Sequence, residues 1–137
     1  MADIFSKKKR SWVMSKVRSS RTVPEMRMKS RLQKLGFAYQ PKNVIGNPDF
    51  AHVRARIAVF INGCFWHGCR LHYKAPKANW RFWKEKVTYN MKRDGRAAAR
   101  LRKGGWSCIT LWEHDVRKSP GKCLKRVKGA LCKRKVF

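Results

Sequence analysis

Acidic side chains are scarce in this sequence: Asp and Glu number seven against 35 Lys and Arg, and the formal net charge is +28. A free chain so charged repels itself, so its natural partner is a polyanion. Long apolar runs are missing as well. None approaches the roughly 20 residues that a bilayer span needs, which excludes a membrane-spanning helix. Cysteine is limited to five residues, an odd number, and no secretory leader is recognisable ahead of them. A secreted disulfide framework therefore fits poorly, and reduced thiols or metal ligands are expected. There is no internal repeat and no linker, and 137 residues leave room for one core. What is abundant argues for folding: 43% hydrophobic residues, with six Trp and seven Phe, exclude a disordered chain.

Charge and periodicity organise the chain. Residues 1–21 read as a basic N-terminal arm, where Lys7, Lys8, Lys9, Arg10, Lys16, Arg18 and Arg21 face only Asp3, with one helical turn expected over 12–17. The folded domain is expected over 22–132 and a basic tail over 133–137. Thr22, Pro24 and Glu25 form a helix start, with Glu25 completing a capping box, and Met28, Leu32 and Leu35 supply the apolar stripe before Gly36. Short strands follow over 37–39 and from 49, and the almost wholly apolar run 57–61 should be central in a sheet. Residues 64–76 hold Cys, His and Pro but little that packs, so a bound metal is the better candidate to order them. Trp80, Trp83, Val87, Met91, Ala98 and Leu101 recur at helical spacing and predict a long basic helix over 79–103. A strand over 106–112 and a last helix beginning at Ser119 and Pro120, carrying Leu124, Val127 and Leu131, complete a single α/β domain.

Two groups of side chains carry chemistry. Cys64, Cys69 and His72 lie within nine residues as Cys-x4-Cys-x2-His, the donor types that a tetrahedral zinc site selects. A fourth ligand must come from afar. His114 reaches the loop if the strand over 106–112 lies beside 57–61, and Cys108 and His67 are its rivals. The alternative is a set of small buried thiols with a surface histidine, and core packing is the expected role of Cys123 and Cys132. Among the few acids, Asp49 follows Pro48 at a strand start, where a carboxylate is fixed yet open to solvent and suits a catalytic metal; a turn-stabilising Asp is the alternative. Glu25 has its capping role. His67, beside two aromatics, is either a ligand or simply exposed.

The stretch Asn-Gly-Cys-Phe-Trp-His-Gly-Cys-Arg-Leu-His at 62–72 resembles the very-short-patch repair mismatch endonucleases. So do Asn47-Pro48-Asp49-Phe50, the segment 82–86, Asn90 to Asp94, Gly105-Trp106 and Trp112-Glu113, in the family's order over about residues 11–116. The resemblance implies a restriction-endonuclease-like α/β domain, a central mixed sheet flanked by helices, and a zinc-braced loop. It also implies nicking of double-stranded DNA beside a thymine–guanine mismatch, with catalytic magnesium and structural zinc. It makes Asp49 the magnesium-binding carboxylate, His67 the general base or acid, and Glu25 and Asp94 supporting catalytic residues. Phe65 and Trp66 become a wedge between bases, with Met14 approaching from the other groove, while Lys86 and Asn90 read the mismatched pair. Cys64, Cys69 and His72 match zinc ligands. Two departures stand out: His114 replaces the usual Cys after Trp-Glu, and Asn62 replaces a His or Asp, so that position neither shuttles a proton nor carries charge.

The expectation is thus a monomeric, cytoplasmic, nucleoid-associated DNA endonuclease. A homing-type nuclease with the same catalytic set is its variant. A catalytically weakened DNA-binding module that keeps zinc and wedge is the competing class, and a small ribosomal or nucleoid protein is disfavoured by the matching acids and histidine.

Overall fold

The computed structural model describes residues 23–64, 68–69 and 77–134; the expected arm, the N-cap Thr22 and residues 135–137 lie outside them. Helix α1 (Val23–Lys34) buries Glu25, Met28 and Leu32, spaced three and four apart on one face. Gly36, at φ +96°, ends it, and a Cβ there would stand 3.0 Å from the His52 ring. Strands β1 (Ala38–Tyr39), β2 (Phe50–His52) and β3 (Ile57–Asn62) then form an antiparallel meander. Helix α2 (Trp80–Lys103) crosses to β4 (Ser107–Trp112), which pairs parallel with β3. Two further helices follow, α3 (Glu113–Lys118) and α4 (Pro120–Arg134). The sheet order β1-β2-β3-β4 makes it a mixed four-stranded sheet, with β3 inside as its apolar run predicts.

Strand alternation divides the core between two faces. Phe50, Ile57, Val59, Ile61, Ile109 and Leu111 pack with Met28, Leu32, Val116, Val127 and Leu131, so α1, α3 and α4 cover one side. Fully burying such side chains contributes about 1.5–3 kcal/mol each. The other face is small, with Ala51 and Ala58 against Leu101 of α2. Gly46, at φ +82°, lets the 40–49 segment lie against that helix, since a Cβ there would come within 2.9 Å of Ala97.

Three sequence expectations shift. In α2 only Trp83, Val87, Asn90 and Leu101 are buried, whereas Trp80 and Met91 are exposed. The N-terminal half of α2 meets the Gly68 segment through Val87 and Met91, and Arg81 and Lys84 sit over the Trp80 ring. The last helical region is two helices, and α4 runs on through Arg134. Cys123 is in the core as expected, but Cys132 is exposed.

Candidate functional site

The carboxylates meet where the meander returns to the sheet. Asp49 precedes β2, and its main-chain carbonyl accepts from the Gln40 N–H at 2.8 Å. Its Oδ2 accepts from the Ile61 N–H of β3 at 2.6 Å, which fixes the carboxyl at the C-terminal half of the central strand. Glu25 comes from the buried face of α1, and its Oε2 accepts from the Tyr39 hydroxyl at 2.6 Å. Burial pushes the Asp49 carboxyl up to about 7 against the pull of the Ile61 N–H, and the negative charges of Glu25 and Asp94 add to the rise. A carboxyl–carboxyl hydrogen bond with Glu25 also contributes to that rise. Asp94, on α2, lies 3.9 Å from Arg93. Two sequence-predicted acids, 69 positions apart, therefore lie within electrostatic reach of Asp49. Tyr39, which orients Glu25, carried no sequence signal beyond its place in a short strand.

Of these acids Asp49 is the one placed to hold a hard divalent cation; the three do not bring their oxygens together as a ready-made ligand set. Magnesium takes oxygen donors and is held through one or two carboxylates, and a cation at Asp49 would offset the burial and the repulsion that raise its carboxyl.

A second cluster forms one strand further along. The parallel register aligns Ile57 with Ser107 and Asn62 with Trp112, and carrying it two residues on brings Cys64 beside His114. The Cys64 Sγ lies 3.2 Å from His114 Nδ1 and the Cys69 Sγ lies 3.6 Å from it. All three donor atoms fall within 4.8 Å of one another. A tetrahedron with zinc–sulfur bonds near 2.3 Å has edges of about 3.5–3.8 Å, so this soft donor set fits zinc. Burial raises the Cys64 thiol, partly offset by a hydrogen bond from the His114 main chain; a bound cation would reverse that preference. Around the cluster, Asp115 Oδ1 stands 3.3 Å from His114 Nε2, and Glu113 Oε1 accepts from the Cys64 N–H at 3.5 Å. Neither neighbour was singled out in the sequence, although both flank His114. Cys108 takes no part: its thiol points to the Ala98 carbonyl at 3.9 Å, on the α2 side of the sheet.

Other predicted residues divide. Met14, Phe65, Trp66, His67 and His72 lie outside the described residues. On α2, Lys86 is half-buried, but Asn90 is only 6% exposed, so the two do not present equal faces to a partner. Asn62 is buried at the end of β3, beside Trp112.

Comparison with known proteins converges with this geometry. Residues 2–73 match the family described as DNA mismatch endonuclease Vsr. A type II nicking enzyme of Neisseria meningitidis, V.NmeAIP, is 40% identical over 121 residues, covering 85% of this chain and 86% of the relative. The DNA mismatch endonuclease Vsr of Escherichia coli is 38% identical over 121 residues, covering 85% and 77%. The nicking enzyme V.XorIIP of Xanthomonas oryzae is 35% identical over 120 residues, covering 85% and 88%. A match across more than half of the chain, joined to these relatives, places the chain in the Vsr family of DNA mismatch endonucleases.

Proposed function

We propose that the chain is a magnesium-dependent endonuclease that nicks DNA at thymine–guanine mismatched or otherwise distorted duplex, on a restriction-endonuclease-like core braced by zinc. One observation carries the reading: the charges of two further acids, Glu25 and Asp94, act on Asp49 in a chain of net charge +28. A polyanion binder gains little from acids gathered within its fold unless they hold a cation against the phosphate.

In this reading Asp49 holds magnesium, with Glu25 and Asp94 around it, and the Ile61 N–H keeps the carboxylate oriented. Bound magnesium supplies Lewis-acid polarisation of the scissile phosphate. His67 moves the proton of the attacking water or the leaving oxygen. Lys and Arg side chains accept the charge that builds on the phosphate. Cys64, Cys69 and His114, with His72, hold the zinc that braces the loop bearing His67. Phe65 and Trp66 wedge between bases, where a mismatched step is already partly unstacked, and Met14 enters from the opposite groove. Lys86 and Asn90 read the mismatched pair, Lys86 being the more exposed of the two.

The test is a pair of variants. Asp49→Ala nearly abolishes nicking, and His67→Ala lowers it by about 10²- to 10⁴-fold. Both keep zinc content, fold and DNA binding. Full nicking by either contradicts the mechanism, and zinc loss from His67→Ala makes that residue a ligand instead. A second reading rests on Asn62, which holds no ionisable group where relatives of this family often carry one: a binding module with weakened catalysis. It predicts mismatch binding by the parent without any nick.

A further inference from the structure

Away from both clusters, a groove of about 330 Å³ runs between β4 and α4, lined by Ser107, Lys125, Arg126, Gly129, Lys133 and Arg134 among others. Strand β4 is the last in the sheet, so its outer edge faces this groove. Two arginines bridge it. Arg126 Nη1 donates to the Thr110 carbonyl at 2.7 Å, and Arg134 Nη2 donates to the Gly105 carbonyl at 3.1 Å and to Ser107 Oγ at 2.6 Å. These bonds satisfy the strand edge and hold each guanidinium in place while engaging one terminal nitrogen, so donors remain for a ligand.

The surroundings make the groove a site for negative charge. Helix α4 carries six Lys and Arg and no acid among its 15 residues. Among the described residues, Lys125, Arg126, Lys133 and Arg134 have no acidic partner. Gly129 sits inside this helix at a cost of about 1 kcal/mol relative to Ala. Packing does not require it, because a Cβ there would meet nothing within 4 Å. The bare helix backbone leaves the groove floor open to close approach.

Position along β4 sets the scale. Leu111 pairs with Ile61, whose N–H holds Asp49, and Ser107 lies four residues back along the same strand. At about 3.3 Å per residue the separation is about 13 Å. For a duplex laid along β4, with phosphates about 3.4 Å apart along one strand, that is about four nucleotides.

We infer that this groove grips the sugar–phosphate backbone of the nicked duplex about four base pairs from the cleaved phosphate. The inference rests on the endonuclease reading and extends it with a second, sequence-independent anchor. Each phosphate contact contributes about 0.9 to the slope of log affinity against log salt.

The test measures that slope for the intact chain on two mismatched duplexes, one long and one hairpin-closed and cut to about three base pairs on either side of the mismatch. Lys125→Gln with Lys133→Gln should lower the slope by about two on the long duplex and leave it unchanged on the short one. Gly129→Glu, which has open space for its side chain, should weaken binding to the long duplex alone. Nicking at saturating DNA should persist in both variants. A parental slope in the double variant on the long duplex overturns the inference, as does an equal loss on both duplexes. Those results leave parental nicking intact, whereas failure of the endonuclease reading shows as a parent that never nicks.

Discussion

Asp49 is held by a main-chain N–H, pressed by the charges of Glu25 and Asp94, and half-buried. Its carboxyl is pushed up to about 7 in the fold from the ordinary 3.8, so between those values the folded state holds the proton more tightly. The stability from that proton is complete below about pH 4 and is lost as pH rises through about 7. Asp49→Asn keeps a neutral group there at every pH. In magnesium-free buffer, its stability relative to the parent should therefore rise with pH by up to about 1.4 kcal/mol per unit across that window. Unfolding curves at several pH values check this, and parallel pH profiles for parent and variant contradict it. The position of Asp49 after Pro48 was legible in the sequence, but its partners were not. Glu25 read as a capping residue because its true neighbours, Tyr39 and Asp49, lie 14 and 24 residues on and become close only when the meander folds.

Elements with their own periodicity could be read from the sequence: the apolar stripe of α1, the buried run of β3, the length of α2. What could not be read is the pairing of β3 with β4, because strand register across 50 residues has no local signal. That register alone decides between His114 and Cys108 as the far ligand, since it sets one at the strand end and turns the other toward α2. Helix α3 was missed for a different reason: six residues are too few to show a stripe, although acids in its first turn and bases in its last suit a helix dipole. Trp80 and Met91 kept helical spacing yet lie exposed, because periodicity marks a face and does not say how far the sheet extends beneath it. The Cys64, Cys69 and His114 corner yields its own expectation. Purified protein should carry one zinc per chain, and His114→Ala should lose zinc more readily to a chelator, with a lower thermal midpoint. Unchanged zinc content and affinity in that variant would remove His114 from the site. Stripping zinc from the parent should unfold the loop after β3, which has few apolar side chains to hold it.

At the scale of the whole molecule, a charge of +28 and a focused group of acids are opposed features, and DNA cleavage reconciles them. The excess of Lys and Arg gives affinity for any duplex, and that affinity should fall steeply with salt. Charge alone was legible at once and pointed to nucleic acid; the direction of the chemistry came only with the acids, the Cys/His cluster and membership of the Vsr family. Among the described residues no helix is long and apolar enough to cross a membrane. The most direct test of the central claim incubates purified protein and magnesium with end-labelled duplexes that are identical except for one thymine–guanine pair, and maps any break. A single-strand nick beside the mismatch, absent from the matched duplex, without magnesium and with Asp49→Ala, is the predicted result. Nicking that ignores the mismatch, or that Asp49→Ala retains, would contradict it.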